Sequence, residues 1–279
     1  MTGTGGPAHV TAPAAALADQ LPSWMTLVRA HNPGPMTLDG TNTWVLTTPE
    51  GASAVVDPGP DDPAHLAAVA AAGTVNIILL THGHSDHRGG AARLSDSTGA
   101  DVHSIDPAKC YGPDPWPLEP GLVLDWGGFD ITVLATPGHT ADSVCFVAER
   151  DGESVILTGD TILGRGTTVV AWPDGDLGEY LASLELLTAY DTVPVLPGHG
   201  PALADCAAAA RFYLAHRRAR LEQVRAAVAA GAVTPAAVVE RVYADVDRSL
   251  WPAAEWSVRA QLAYLERESG PGPRGLDSP

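Results

Sequence analysis

Four side chains able to bind a metal, His82, His84, Asp86 and His87, fall within six residues directly after the aliphatic run Ile77-Ile-Leu-Leu80. Alternation along a strand cannot put all four on one face, so the chain must leave the strand through a loop and enter a helix. Gly83 and the pair Gly89-Gly90 permit that path. A loop at the carboxyl end of a strand is where α/β proteins place their sites. Three later segments repeat the pattern of a strand ending in a donor beside glycine: Leu134-Ala-Thr-Pro-Gly-His139, Val155-Ile-Leu-Thr-Gly-Asp160 and Val195-Leu-Pro-Gly-His199. One histidine alone reads as a satisfied polar residue, but four strand-end donor loops in chain order read as a metal site. Imidazole and carboxylate donors without thiolate suit zinc, iron or manganese, and zinc is the usual choice where histidine dominates.

The elements that must position these loops are short aliphatic strands punctuated by Gly, Pro and Asp. Strands are predicted at Thr43–Leu46, Ala54–Asp57, Val75–Leu80, Val102–Ile105, Leu122–Trp126, Ile131–Ala135, Val144–Val147, Val155–Leu157 and Val193–Leu196. Helices are predicted between some of them, at Asp62–Ala72, Gly89–Ser95 and Leu177–Leu187. Strands and helices in this order indicate a layered α/β (α+β) protein. After Pro201 the chain turns rich in Ala, Arg and Leu, with Leu214, Leu221, Val224 and Val228 at helical spacing. Thr234 before Pro235 reads as a helix start, and a last helix is expected from about Pro252 to Glu268. The expected division is a flexible leader (1–20), a catalytic domain (21–204), a small helical domain (205–268) and a disordered tail (269–279).

Composition narrows the function. The 279 residues carry a net charge of −17, from 33 acidic and 16 basic side chains, which argues against a broad nucleic-acid or anionic-membrane surface. No apolar run approaches the ~18 residues of a membrane span. Cys110, Cys145 and Cys206 have the wrong parity for a disulfide framework, and the first twenty residues hold no Lys or Arg, so a reducing cytoplasm is expected. Cys145, between Val144 and Phe146, is read as a core residue, and His9, His31, His65, His103 and His216 as non-ligands. Arg211–Arg225 carries five arginines against Glu222, a local balance of +4 that suits either a solvated helix face or a nucleic-acid contact. Residues 234–268 hold four Arg against six Asp/Glu, which argues against sequence-specific DNA recognition. No Gly-Lys-Ser/Thr phosphate loop is present.

The run His82-x-His84-x-Asp86-His87, followed in order by His139, Asp160 and His199, resembles the motif of the metallo-β-lactamase fold hydrolases. The resemblance implies a four-layer αββα sandwich. It also implies that His82, His84 and His139 hold one metal, that Asp86, His87 and His199 hold a second, and that Asp160 bridges them. Asp57, in Val55-Val-Asp-Pro-Gly59, stands where that family has an acidic residue and would orient a ligand histidine. Asn32–Trp44, Gly159–Thr168, Leu196–Pro201 and the helical tail through Trp251–Glu268 resemble the beta-lactamase-like protein 2 group, whose appendage is winged-helix-like. Gly83 stands where an aromatic residue is common, and Trp44 where the group has tyrosine. The resemblance implies a hydrolase with two Zn²⁺, iron or manganese being the other candidates, that attacks with a metal-bridging hydroxide. Asp86 and Asp160 would be its catalytic carboxylates, and single-stranded RNA its substrate, cut as by an endoribonuclease. An alternative is a thioesterase or lactonase similar to hydroxyacylglutathione hydrolases, acting on a small-molecule ester or thioester. A second is a mononuclear iron persulfide dioxygenase.

Overall fold

The computed structural model describes residues 21–269. The expected leader lies outside them, as does the tail except for Ser269, the last residue of the final helix. Two five-stranded sheets form the centre. The first runs in the order β1 (Met25–Arg29), β2 (Asn42–Thr47), β3 (Ala52–Val56), β4 (Thr74–Leu79), β5 (Asp101–His103). The second runs β10 (Val195–Pro197), β9 (Glu153–Gly159), β8 (Val144–Arg150), β7 (Phe129–Ala135), β6 (Val123–Trp126). Neighbours are antiparallel except β3/β4, β4/β5 and β9/β10, which are parallel.

The alternation of the strands explains the layering. In β2, Trp44 and Leu46 face the inter-sheet core while Val45 faces outward; in β8, Val144, Phe146 and Ala148 face in while Cys145 and Val147 face out. Both faces of each sheet therefore need cover. Helices α1 (Pro63–Ala71) and α3 (Ala91–Thr98) cover the first sheet through Leu66, Val69 and Leu94. On the second sheet, α4 (Leu177–Leu187) and the first half of α5 (Cys206–Ala229) contribute Leu177, Tyr180, Leu184, Ala210 and Tyr213. The result is a four-layer αββα sandwich, as the family resemblance implied.

The second half of α5 changes partners. Val224 and Ala227 pack with Val238 and Val239 of α6 (Pro235–Val242) and with Ala254 and Val258 of α7 (Trp251–Ser269). Thr234 caps α6 by accepting from the backbone of Ala237, with Pro235 in the first turn. One continuous helix is thus shared by the sandwich and the helical unit. No helix among the described residues is long and apolar enough to cross a membrane.

Candidate metal centre

The donors picked out by type and spacing all lie in the segments that follow the carboxyl ends of strands. His82 and His84 follow β4, Asp86 and His87 lie in the single-turn helix α2 (Ser85–Arg88), His139 follows β7, Asp160 follows β9 and His199 follows β10. They converge in two sets. His84 Nδ1 lies 3.0 Å from His82 Nε2 and 3.1 Å from His139 Nε2, and His139 Nε2 is 3.6 Å from Asp160 Oδ2. In the second set, His199 Nε2 lies 3.2 Å from His87 Nε2 and 3.1 Å from Asp86 Oδ2. Asp160 Oδ1 is 3.4 Å from His87 Nε2 and 3.5 Å from His199 Nε2. The two oxygens of Asp160 therefore face different sets.

The outer nitrogens show what the inner ones are for. His139 Nδ1 donates to the carbonyl of Val169 at 2.6 Å, His87 Nδ1 to Asp57 Oδ2 at 2.8 Å, and His199 Nδ1 to the carbonyl of Gly40 at 3.2 Å. A neutral imidazole carries one N–H, so in each of these rings the Nε2 lone pair points inward. The lone pairs of His87 Nε2 and His199 Nε2, 3.2 Å apart, repel unless a proton or a cation stands between them. Asp160 Oδ1, buried and without a hydrogen-bond partner, adds negative charge at the same place. The donor set fits divalent metal: His82, His84, His139 and Asp160 lie within reach of one another, as do Asp86, His87 and His199.

The electrostatics agree. Burial opposes ionisation of Asp86, but its hydrogen bond to His199 and the charge of His87 bring it down to about 2. Asp160 is held well below the usual carboxylate range by His199 and His87 despite its burial. Desolvation likewise works against a charged His87, and Asp160 and Asp57 overcome it, raising the pKa well above that of free histidine. Without metal the cluster draws in a proton; a divalent ion takes its place.

Asp57 sits just past β3 with φ of 53°, outside the metal cluster proper but against it. Its Oδ1 accepts from the Thr81 amide at 2.8 Å and its Oδ2 from the Thr81 hydroxyl at 2.6 Å, while His87 Nδ1 also donates to Oδ2. This pins the loop that carries His82. Several groups that hold the cluster went unread in the sequence. Asn42 donates to the carbonyls of Pro197 and Gly200 at 3.0 and 2.8 Å, and Trp44 Nε1 to Pro197 at 3.0 Å, so the start of β2 clamps the His199 loop. A Cβ at Gly198 would lie 2.5 Å from His87 Cε1 and 2.8 Å from Asp160 Oδ1, so only glycine fits there.

The departures from the resembled family are accounted for as well. The space over Gly83 is filled by the stem of Lys109, whose ammonium bridges Asp106 at 2.7 Å and Asp142 at 2.9 Å. Trp44 is buried and braces the His199 loop. Cys145 is fully buried in the core, where desolvation pushes its thiol up to about 12. His31 is exposed, His65 bonds Thr43, and His103 bonds the carbonyl of Trp116. His9 lies outside the described residues, and His216, read as a non-ligand, lines the cleft beside the cluster.

That cleft, of about 370 Å³, is bounded by His139 and Asp160, by Met36 and Leu38, by the 163–169 loop, and by α5 and α7 of the helical unit. The profile of the metallo-beta-lactamase superfamily matches residues 36–199. The chain belongs to that superfamily. Residues 234–269 match the beta-lactamase associated winged helix domain. A beta-lactamase-like protein 2 homolog of Drosophila melanogaster is 31% identical over 270 residues, covering 89% of this chain and 90% of that one. A thioesterase, pkgB, of Emericella nidulans is 32% identical over 210 residues, covering 71% of this chain and 57% of its own. Among solved structures, a metallo-beta-lactamase family protein of Thermus thermophilus superposes with a TM-score of 0.72 at 25% identity, covering 89% of this chain and 95% of that one. With the superfamily comes the enzyme class, metal-dependent hydrolase.

Proposed function

We propose that the chain hydrolyses a small-molecule ester or thioester at a pair of divalent cations, zinc by preference. His82, His84 and His139 would hold one ion, Asp86, His87 and His199 the other, and Asp160 both. The observation that carries the pair is Asp160 itself, one oxygen toward each set. Cations so held supply a Lewis acid for the scissile carbonyl and a water acidic enough to attack at neutral pH. The chain's own residues do the rest. Asp86, the most exposed carboxylate of the cluster and brought down to about 2, would present an ionised acceptor to the water's proton. Asp57 and the carbonyls of Gly40 and Val169 take the outer Nδ1 hydrogens and so turn Nε2 of His87, His199 and His139 toward the ions.

The fate of the arginine run favours an acyl substrate over RNA. Arg211 pairs with Asp191 at 3.3 Å, Arg218 with Glu185 at 2.6 Å and Arg225 with Glu268 at 2.7 Å, so the outer face of α5 is neutralised. The cleft is walled mostly by apolar side chains, including Met36, Leu38, Leu163, Val246 and Leu250. A strand of RNA needs a continuous cationic track with stacking platforms; a small acyl group needs an apolar pocket. The direct test incubates zinc-loaded protein with short-chain thioesters, esters and unstructured RNA. Turnover of an acyl substrate that disappears in Asp160→Ala is expected. Cleavage of RNA alone, or acyl turnover that persists in Asp160→Ala, would contradict the reading.

A further inference from the structure

Two arginines of α5 behave differently from the rest. Arg217 is 5% exposed and Arg220 is half-buried, both line the cleft, and neither has a carboxylate partner among the described residues. Arg217 donates to the carbonyl of Thr168 and lies over the ring of Tyr180, its guanidinium carbon 5.3 Å from the centroid. Its Nε is buried with no hydrogen-bond partner. Arg220 donates to the carbonyl of Val242 and lies 4.4 Å from the Tyr243 centroid. Next to them, His216 Nδ1 is also buried and unpartnered. Burial and the two neighbouring arginines push His216 down to about 4, so at neutral pH it is an uncharged imidazole able to donate one N–H.

A buried guanidinium satisfied only by neutral groups is costly, because desolvation of a cation is offset well only by an anion. Among the described lining residues Asp160 is the one carboxylate, and the metal cluster claims it. The third arginine of the lining, Arg165, is held by Asp39 at 2.8 Å. The cleft therefore pairs apolar walls with two unmatched guanidinium groups, and the missing counter-charge is that of the occupant.

We propose that Arg217 and Arg220 form an anion-recognition site in the wall of the metal cleft, so that the ester or thioester hydrolysed there carries a carboxylate or phosphate beside an apolar body. This rests on the acyl-hydrolase reading for its reaction, and on the two arginines alone for its ligand. A planar guanidinium suits both anions.

The test compares kcat/KM for matched thioesters on zinc-loaded protein. Butyryl against succinyl N-acetylcysteamine probes a carboxylate in the acyl chain; butyryl-pantetheine against its 4′-phosphate probes a phosphate in the leaving group. One charged member is expected to exceed its neutral match by about 10- to 100-fold, the span of hydrogen bonds to charged groups. Arg217→Met and Arg220→Met are expected to cut that ratio about tenfold, whereas Arg211→Met, on the outer face, keeps it. A ratio near one in the wild type, or a ratio unchanged in both cleft variants, overturns the proposal. A second arm is independent of turnover: calorimetric titration of metal-depleted protein with inorganic phosphate and with glutarate. Saturable binding of one anion that is lost in Arg220→Met supports the site, and no binding, or binding unchanged in both cleft variants, overturns it. Failure of every thioester to turn over with anion binding intact would instead sink the hydrolase reading.

Discussion

At the scale of residues, metal binding turns on which nitrogen of each histidine keeps its lone pair. His87 offers Nε2 to the cluster because Asp57 takes the Nδ1 proton. Asp57→Asn would leave the geometry in place but present an amide to that ring and to Thr81. Metal affinity is expected to fall about 10- to 100-fold, the usual cost of losing such an outer partner, with folding retained. Competition against a chelating dye reads the affinity, and circular dichroism the fold; unchanged affinity would remove Asp57 from the account. The donors themselves were legible in the sequence because ligand chemistry restricts them to His and Asp, and because each donor segment follows an aliphatic strand and carries a glycine. Their outer partners were mostly illegible. The carbonyls of Gly40 and Val169 carry no mark in the sequence, since any residue supplies a carbonyl. Lys109 over Gly83 depends on a contact across the fold, which spacing along the chain cannot reveal.

At the scale of elements, the long helix α5 carries the sandwich and the helical unit together, and its fit to the site loops can be probed. Tyr213 Oη accepts from the Leu163 amide at 3.0 Å and lies 3.2 Å from the Leu163 carbonyl, fixing the start of the loop that also carries Thr168 and Val169. Tyr213→Phe strands a buried backbone amide and should cost about 1–3 kcal/mol in urea unfolding. A change below ~0.5 kcal/mol would mean the loop does not depend on this bond. Most strands were readable from alternation, yet β1 was missed. Met25–Arg29 is an edge strand with three of its five residues exposed, so it lacks the apolar rhythm of a central strand. The start of α5 carries no apolar rhythm either. Its first turns, Cys206–Ala210, bury alanines against the sheet, and small residues leave no periodic apolar stripe to recognise.

On the scale of the whole molecule, the charge of −17 is a sum over unlike regions. Much of the arginine run is spent on surface pairs, while the metal cluster concentrates Asp86 and Asp160 where cations are expected. Chelation should therefore act on the fold as well as on activity. Bound metal stabilises by mass action, about 4 kcal/mol at a thousandfold excess over Kd. Stripping it should lower the thermal midpoint by several degrees, reversed by added zinc; an unchanged midpoint would mean that the cluster holds metal too weakly to matter. The central claim, two cations joined by Asp160, is tested most directly by elemental analysis of protein purified without added metal. About two divalent ions per chain are expected, zinc foremost, falling to fewer than one in Asp160→Asn. One ion per chain, unchanged in Asp160→Asn, would contradict it.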